Sequence, residues 1–127
     1  MEGTKARGII CIILALGICA GAFGAHGFAD KISPDSLASY KTGVYYLLIN
    51  LVGLLAIING RIRVSQYLIF FGALLFSLSI FLLATRGILL NLGSASWLGP
   101  VTPFGGLFMI IGWIMEGLGY LKGVKTN

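Results

Sequence analysis

Apolar residues run in four long stretches along this chain, and polar residues gather in the short segments between them. The stretches cover roughly residues 8–28, 42–59, 64–85 and 102–121. A bilayer's hydrocarbon core is about 30 Å thick, so a spanning helix needs about 20 apolar residues. Strands of a membrane barrel would instead alternate apolar and polar residues. The pattern therefore predicts an all-α, four-helix transmembrane bundle that forms one integral membrane domain over residues 1–127.

The composition argues against a water-soluble protein. Hydrophobic residues make up 57% of the chain and charged residues 10%, and the mean hydropathy is +0.97. Connections this short cannot cover so much apolar surface with polar groups. A length of 127 residues also leaves no room for a soluble module beside four spans. Most of the molecular surface is therefore expected to contact lipid.

The positive charges are distributed unevenly between the two sides of the predicted bundle. The formal net charge is +5. Six cations fall on the side of the chain termini and three on the other side: Lys5, Arg7, Arg61, Arg63, Lys122 and Lys125 against Lys31, Lys41 and Arg86. The positive-inside rule then predicts that both termini are cytoplasmic. Anionic lipid headgroups, and not nucleic acid, are the expected partners of the basic side.

Each connection predicts a local feature. Ser33 followed by Pro34 is typical of a helix start, which predicts a short amphipathic helix running into the second span. The tight turn over residues 60–63 predicts that the second and third helices are antiparallel neighbours. Segment 87–100 mixes apolar residues with glycines, so we expect it in the outer membrane interface with Trp97 at headgroup depth.

The first span resembles a signal peptide, but we expect it to be retained as a helix. Its two cysteines, Cys11 and Cys19, are eight residues apart. This separation is about 12 Å along a helix, too far for a disulfide between them. They are interpreted as small apolar packing residues.

Glycines at helical spacing predict close helix packing. Gly17 and Gly21 form a pair of small residues four apart, which lets another helix approach closely. Packing within the monomer is favoured over a dimer interface. The full set of predicted packing positions is Gly17, Gly21, Gly24, Gly105, Gly106 and Gly112.

Strongly polar residues inside a membrane are costly, so the few in this chain are candidate functional residues. His26, Asn50, Ser79 and Thr102 are expected to converge in the outer half of the bundle. A hydrogen-bonded cluster that fixes helix packing is favoured over a ligand site or a proton relay. No metal is expected, because one His supplies too few ligands.

Glu116 is the only acidic residue well inside a span. It lies near the inner end of the fourth helix, where Arg7 or Lys122 is expected to pair with it. This structural ion pair is favoured over the alternative, a carboxylate that couples export to a cation. The candidate inner-leaflet pair is Glu116 with Arg7.

The chain contains no hydrolase elbow, phosphate loop, Cys-x-x-Cys pair or dinucleotide fingerprint. We therefore expect no catalytic residue, no cofactor and no enzyme activity.

Several motifs in order along the chain resemble one family of small bacterial inner-membrane proteins, the YgdD/YwdK type, or domain of unknown function 423. The resemblance rests on the segments Ala-Gly-Ala-Phe-Gly-Ala-His-Gly at 20–27, Thr-Gly-Val at 42–44, Phe-Ser-Leu-Ser at 76–79, Thr-Pro-Phe-Gly-Gly at 102–106 and Gly-Trp at 112–113. The family implies a four-helix protein in the bacterial inner (plasma) membrane and supplies no established activity.

This chain departs from the family pattern in the second helix. Where the family typically has Gln and His, this chain has Leu47 and Asn50. Because Asn does not titrate near neutral pH, this difference disfavours a proton relay.

The resulting functional prediction is an accessory or assembly component that contacts lipids, other membrane proteins or itself. The alternative is an oligomeric small transporter or channel that uses the polar intramembrane residues. A water-filled polar cavity around His26, Asn50 or Glu116 would favour transport, whereas a dry, filled core would favour the interaction role.

Overall fold

A computed structural model of the chain describes residues 2–88 and 96–123. Within them the chain forms four long helices: α1 over Gly3–His26, α2 over Pro34–Ile57, α3 over Val64–Thr85 and α4 over Val101–Leu121. A single turn of 3-10 helix over Ser96–Leu98 precedes α4. At 1.5 Å per residue the long helices extend about 31–36 Å, enough to cross the hydrocarbon core. All four are long and apolar enough to be membrane spans.

Two helices begin earlier than the apolar stretches suggest. In α1 the helix continues back to Gly3, whose N–H donates to the Gly60 carbonyl at 2.8 Å. In α2 the start at Pro34 confirms the expected helix initiation, because the Ser33 side chain accepts from the Ser36 N–H at 3.1 Å. The predicted amphipathic turn and the second span are one continuous helix.

The connections bring both ends of the described chain to one end of the bundle. Gly3 meets Gly60, and Arg63 lies against Tyr120. We call this the terminal end, and the end that holds His26, Ser33, Thr85 and Thr102 the distal end. Residues 89–95, half of the predicted interfacial segment 87–100, lie outside the described residues, whereas Trp97 is described and exposed.

The helices pack in chain order: α1 against α2, α2 against α3, and α3 against α4, which is the most extensive contact. The expected antiparallel pairing of α2 and α3 is confirmed. In the described residues α1 makes no extensive contact with α3 or α4. The core therefore centres on α2 and α3, where Leu51, Leu54 and Ile69 are fully buried.

Candidate functional site: polar clusters between the helices

The terminal end holds a buried carboxylate. Glu116 on α4 is only 3% exposed, and both of its oxygens accept hydrogen bonds from the start of α3. Oε2 accepts from Arg63 Nη2 at 2.5 Å, and Oε1 accepts from Ser65 Oγ at 2.5 Å. Charge-assisted bonds such as these are about twice as strong as neutral ones. The carboxylate thus fastens the end of α4 to the start of α3.

Arg63 is held in place by further contacts at the same end. Its guanidinium lies 5.6 Å from the centre of the Tyr120 ring, within range of a cation–π interaction. Its backbone N–H donates to Gln66 Oε1 at 3.2 Å. Arg63 immediately precedes α3, so the tight turn after α2 carries its side chain to the last turns of α4.

The predicted partner of Glu116 was wrong. Arg7 donates to the Ile58 carbonyl at 3.2 Å, which attaches α1 to the end of α2. The reason is helix order: α1 packs on α2 and α4 packs on α3, so the cation closest to Glu116 comes from the α2–α3 turn. The ion pair itself remains, with Arg63 in place of Arg7 or Lys122.

A second cluster lies in the middle of the bundle, where Asn50 joins α2 to α4. Its Oδ1 accepts from Trp113 Nε1 at 2.7 Å, and its Nδ2 donates to the Tyr46 carbonyl at 2.8 Å. The Trp113 ring also occupies the space above Gly53, where a methyl group would come within 2.8 Å of it. The amide is only 6% exposed, and both its oxygen and its nitrogen are bonded to protein.

A third cluster lies near the distal end. Ser79 on α3 and Thr102 on α4 share a hydrogen bond of 2.6 Å between their hydroxyl oxygens. Ser79 also bonds to the Phe76 carbonyl one turn earlier, at 2.8 Å. Of the four residues predicted to form one cluster, only Ser79 and Thr102 contact each other.

His26 and Asn50 do not join that pair. Because α2 begins at Pro34, Asn50 lies about 24 Å along the helix from its distal end, twice the expected depth. His26 is the last residue of α1 and is exposed, and its side chain makes no hydrogen bond to a described residue. A shallow groove beside it is formed by Cys19, Ala22, Phe23 and Gly27. The expected convergence of all four residues is corrected to one distal pair, one central contact and one isolated histidine.

Two of the three predicted packing glycines of α4 lie against backbone atoms of α3. A methyl group on Gly105 would come within 2.5 Å of the Phe76 nitrogen, and one on Gly112 within 2.8 Å of the Ser65 carbonyl oxygen. Gly106 differs, because the nearest atoms are 3.7 Å away in the Phe76 ring. Of the three glycines expected on this helix, two occupy places that no larger residue fits.

The three predicted packing glycines of α1 face side chains of α2. A methyl group on Gly17 would come within 2.8 Å of Leu48, one on Gly21 within 3.3 Å of Val44, and one on Gly24 within 2.5 Å of Tyr40. These contacts lie within the monomer. The cysteines of this helix, Cys11 and Cys19, are both free and exposed.

Some interhelical contacts escaped the sequence analysis. Gly72 on α3 faces the Gly105 carbonyl and the Met109 nitrogen, each 2.8 Å from the place of a methyl group. Ser77 donates to the Gly43 carbonyl at 2.8 Å, and Tyr40 donates to the Ala20 carbonyl at 2.7 Å. The Gly72–Gly105 pair belongs to two helices, so no spacing within one helix reveals it.

The buried polar groups of these clusters already form hydrogen bonds to other groups of the protein. Throughout residues 2–88 and 96–123, every fully buried side-chain nitrogen or oxygen has a hydrogen-bond partner. In the same residues, no three of His, Cys, Asp and Glu come together as a metal site would require. Chemically, the arrangement fixes helices to one another.

Comparison with known proteins places this architecture in a family. The profile of the family described as "Protein of unknown function (DUF423)" matches residues 20–106, from the glycine-rich part of α1 to the Gly105–Gly106 pair. The chain belongs to the DUF423 family. This finding confirms the resemblance that the sequence motifs indicated.

DUF423 relatives occur in bacteria and in a fungus. A UPF0382 membrane protein of Staphylococcus saprophyticus is 35% identical over 91% of this chain and 93% of its own length. The UPF0382 membrane protein YwdK of Bacillus subtilis is 37% identical over 85% of this chain and 87% of its own. A fission yeast (Schizosaccharomyces pombe) member is 34% identical over 80% of this chain and 86% of its own. No solved structure matches the chain. The chain is thus a small multi-pass membrane protein of a family whose function is unknown.

Proposed function

We propose that this chain is an accessory or assembly component of the membrane that acts through contacts of its outer faces with lipids and other membrane proteins. The observation that carries the proposal is a contrast between inside and outside. Inside, Asn50 and Glu116 have their polar atoms bonded within the bundle. Outside, α1 and α4 leave most of their residues unburied by the rest of the chain.

The outer faces are large and apolar. On α1, Leu16 and Phe23 are each 62% exposed, and on α4, Ile110 and Ile114 are 58% and 56% exposed. In a bilayer such faces meet acyl chains or other membrane helices. The proposal includes no catalytic step and no cofactor, because the buried polar groups are occupied by structural contacts.

The orientation that accompanies this proposal has both termini in the cytoplasm, in the inner (plasma) membrane of a bacterium. Its support is the excess of cations at the terminal end, which the positive-inside rule associates with the cytoplasmic side. In a background without Cys11 and Cys19, a cysteine at Ser36 should react with an impermeant reagent added to intact cells. A cysteine at the exposed residue Arg61 should not react. Labelling of Arg61 instead of Ser36 would reverse the orientation.

The interaction itself is tested by photocrosslinking in living cells. A photoreactive amino acid is placed at Leu16 or Phe23 on one face and at Ile110 or Ile114 on the other, with the fully buried Leu51 as control. Positions on one face should give the same discrete adduct, and Leu51 should give none. Mass spectrometry then assigns the adduct to a lipid, a second copy or another membrane protein. Absence of a protein adduct at all four positions would contradict the protein-contact part of the proposal.

The alternative function, an oligomeric transporter or channel, has a distinct test. The protein is reconstituted in liposomes that contain a pH-sensitive dye, and a potential is imposed across the membrane. We expect proton flux equal to that of protein-free liposomes, for both the native chain and Glu116→Gln. Flux that depends on Glu116 would overturn the interaction proposal in favour of transport.

A further inference from the structure

An apolar groove opens between α1 and α3 near the terminal end. Both helices pack on α2 but not extensively on each other, so α2 forms the floor of the gap. Leu54 and Ile58 lie on the floor, Ile9 lies on the α1 side, and Tyr67 and Phe71 lie on the α3 side. The groove encloses a cavity volume of about 90 Å³.

The size and lining of the groove restrict what can occupy it. Pockets for drug-sized ligands enclose about 300–1,000 Å³, so this groove is too small for such a molecule. Water is disfavoured as well, since nearly every lining side chain is apolar. Apart from the Tyr67 hydroxyl, the polar group in the lining is the Gln66 amide, whose Nε2 donates to the Ile57 carbonyl at 3.3 Å and whose Oε1 accepts from the Arg63 backbone N–H. Part of a flexible apolar chain that enters from the bilayer fits both the small volume and the apolar lining.

Two cations lie close along the chain to lining residues at the terminal end of the groove, although neither lines the groove itself. Lys5 precedes Ile9 by one helical turn and is therefore on the same face of α1. Arg61 directly precedes Ile62, another lining residue, and its backbone pairs with that of Glu2. Neither side chain has a hydrogen bond or ion pair with another described residue, whereas Arg7 and Arg63 are engaged. Glu2 opposes an anion here, but the described terminal end carries five cations and two acids.

We propose that this groove is a binding site for an anionic phospholipid: part of one acyl chain lies between α1 and α3, and the phosphate headgroup lies at Lys5 and Arg61. The charge of these two cations selects the headgroup, and the apolar lining holds the chain. The site rests on the proposed function, of which it specifies the lipid partner. A lipid held there fills the space that α1 leaves when it packs only on α2.

The test measures lipid binding directly. The protein is purified in mild detergent, stripped of lipid, and titrated with phosphatidylglycerol or phosphatidylcholine under native mass spectrometry. One tightly bound phosphatidylglycerol per chain is expected, with phosphatidylcholine clearly weaker. Lys5→Gln and Arg61→Gln should each weaken phosphatidylglycerol binding about fivefold, the effect of one cation near an anionic surface. The matched control is Lys122→Gln, which removes an exposed cation just after α4 at the same end of the bundle and should leave binding unchanged.

A second pair of variants tests the groove. Ile9→Trp fills it and should abolish retention of the lipid, whereas Ile18→Trp, at an exposed position on the same helix outside the groove, should not. Three results would each contradict the proposed lipid site. They are equal binding of phosphatidylglycerol and phosphatidylcholine, equal loss of binding in Arg61→Gln and Lys122→Gln, and unchanged binding in Ile9→Trp. A dimer that Ile9→Trp dissociates would also overturn the lipid site, in favour of a second copy as occupant. The exposed cation variants keep the test valid if Ile9→Trp fails to fold, and protein crosslinks from the α4 face remain an independent test of the proposed function.

Discussion

The contact between α3 and α4 and the contact between α1 and α2 both depend on glycine, but they differ in what the glycines meet. In the α3–α4 contact, Gly72 and Gly105 lie against backbone atoms of the other helix. In the α1–α2 contact, Gly17 and Gly24 lie against the side chains of Leu48 and Tyr40. Side chains can change rotamer to relieve a clash, whereas helix backbones cannot. The same sequence signal therefore marks a rigid contact in one half and an adaptable one in the other.

Polar contacts strengthen the same contrast. The α3–α4 contact contains the buried Glu116 with two charge-assisted bonds and the Ser79–Thr102 pair. The α1–α2 contact has Tyr40 bonded to a carbonyl, and Arg7 bonded just beyond the end of α2. We infer that α1 is the less firmly attached helix, which agrees with the proposed lipid site along its side.

The largest effect is expected for Gly105→Ala. Its methyl group would lie 2.5 Å from the Phe76 nitrogen and 2.9 Å from the Gly72 carbonyl oxygen, so α3 and α4 must separate. We expect a loss of about 3 kcal/mol in the free energy of unfolding, the upper end for overpacking. Gly106→Ala is the control, since its methyl group meets only the Phe76 ring at 3.7 Å. Reversible unfolding in mixed micelles measures both, and equal losses would contradict a backbone contact at Gly105.

A slightly smaller effect is expected for Glu116→Ala. The variant loses both carboxylate bonds and leaves Arg63 without its acid, but Arg63 is 29% exposed and can reach water. We expect a loss of about 1.5–3 kcal/mol, the range for bonds to a charged group. Ser65→Ala, which removes one of the two bonds, should cost about half as much. Asp30→Ala replaces an exposed acid and should leave the free energy of unfolding unchanged. If Glu116→Ala is as stable as this control, polar bonds do not make the α3–α4 contact stronger than the α1–α2 contact.

The adaptable contact is tested with Gly21→Leu. A Cβ at this position lies 3.3 Å from the Val44 side chain, which must shift, and the rest of the leucine must fit between α1 and α2. We expect a loss of about 1–2 kcal/mol in the free energy of unfolding, below that of Gly105→Ala. Gly8→Leu is the control on the same helix, because a Cβ at this position has nothing within 4 Å. If Gly21→Leu is as damaging as Gly105→Ala, α1 is held as rigidly as α4.

The sequence was sufficient for the helices because their signals are local. Four apolar stretches and the Ser33–Pro34 start predict the elements. Glycines at 17, 21, 24, 105, 106 and 112 predict close approach, which the structure shows at all of them except Gly106. The choice of neighbours is not local. Arg63 reaches Glu116 only because α4 packs on α3, and Asn50 reaches Trp113 because residues of α2 and α4 that are far apart in the sequence meet in the fold. A single sequence gives no signal for either contact, so the pairings predicted for Glu116 and Asn50 differ from those observed.

The smallest effect separates Tyr40 of α2 from His26 of α1, two residues near the distal end of α1 whose importance the sequence alone does not distinguish. Tyr40 donates to the Ala20 carbonyl at 2.7 Å and is buried, whereas His26 is exposed and bonds to no described residue. We expect Tyr40→Phe to cost about 0.6–1.7 kcal/mol, as measured for interhelical hydrogen bonds in membranes. His26→Gln and His26→Leu should both stay within about 0.5 kcal/mol of the native chain, as for other surface changes. The free energies of unfolding of all three variants are compared.

A loss of stability in His26→Leu that is absent in His26→Gln would show that the histidine holds α1 by a hydrogen bond. Equal stability together with proton flux that either His26 variant abolishes would instead assign it to a relay, and the distal end of α1 would then be a transport site.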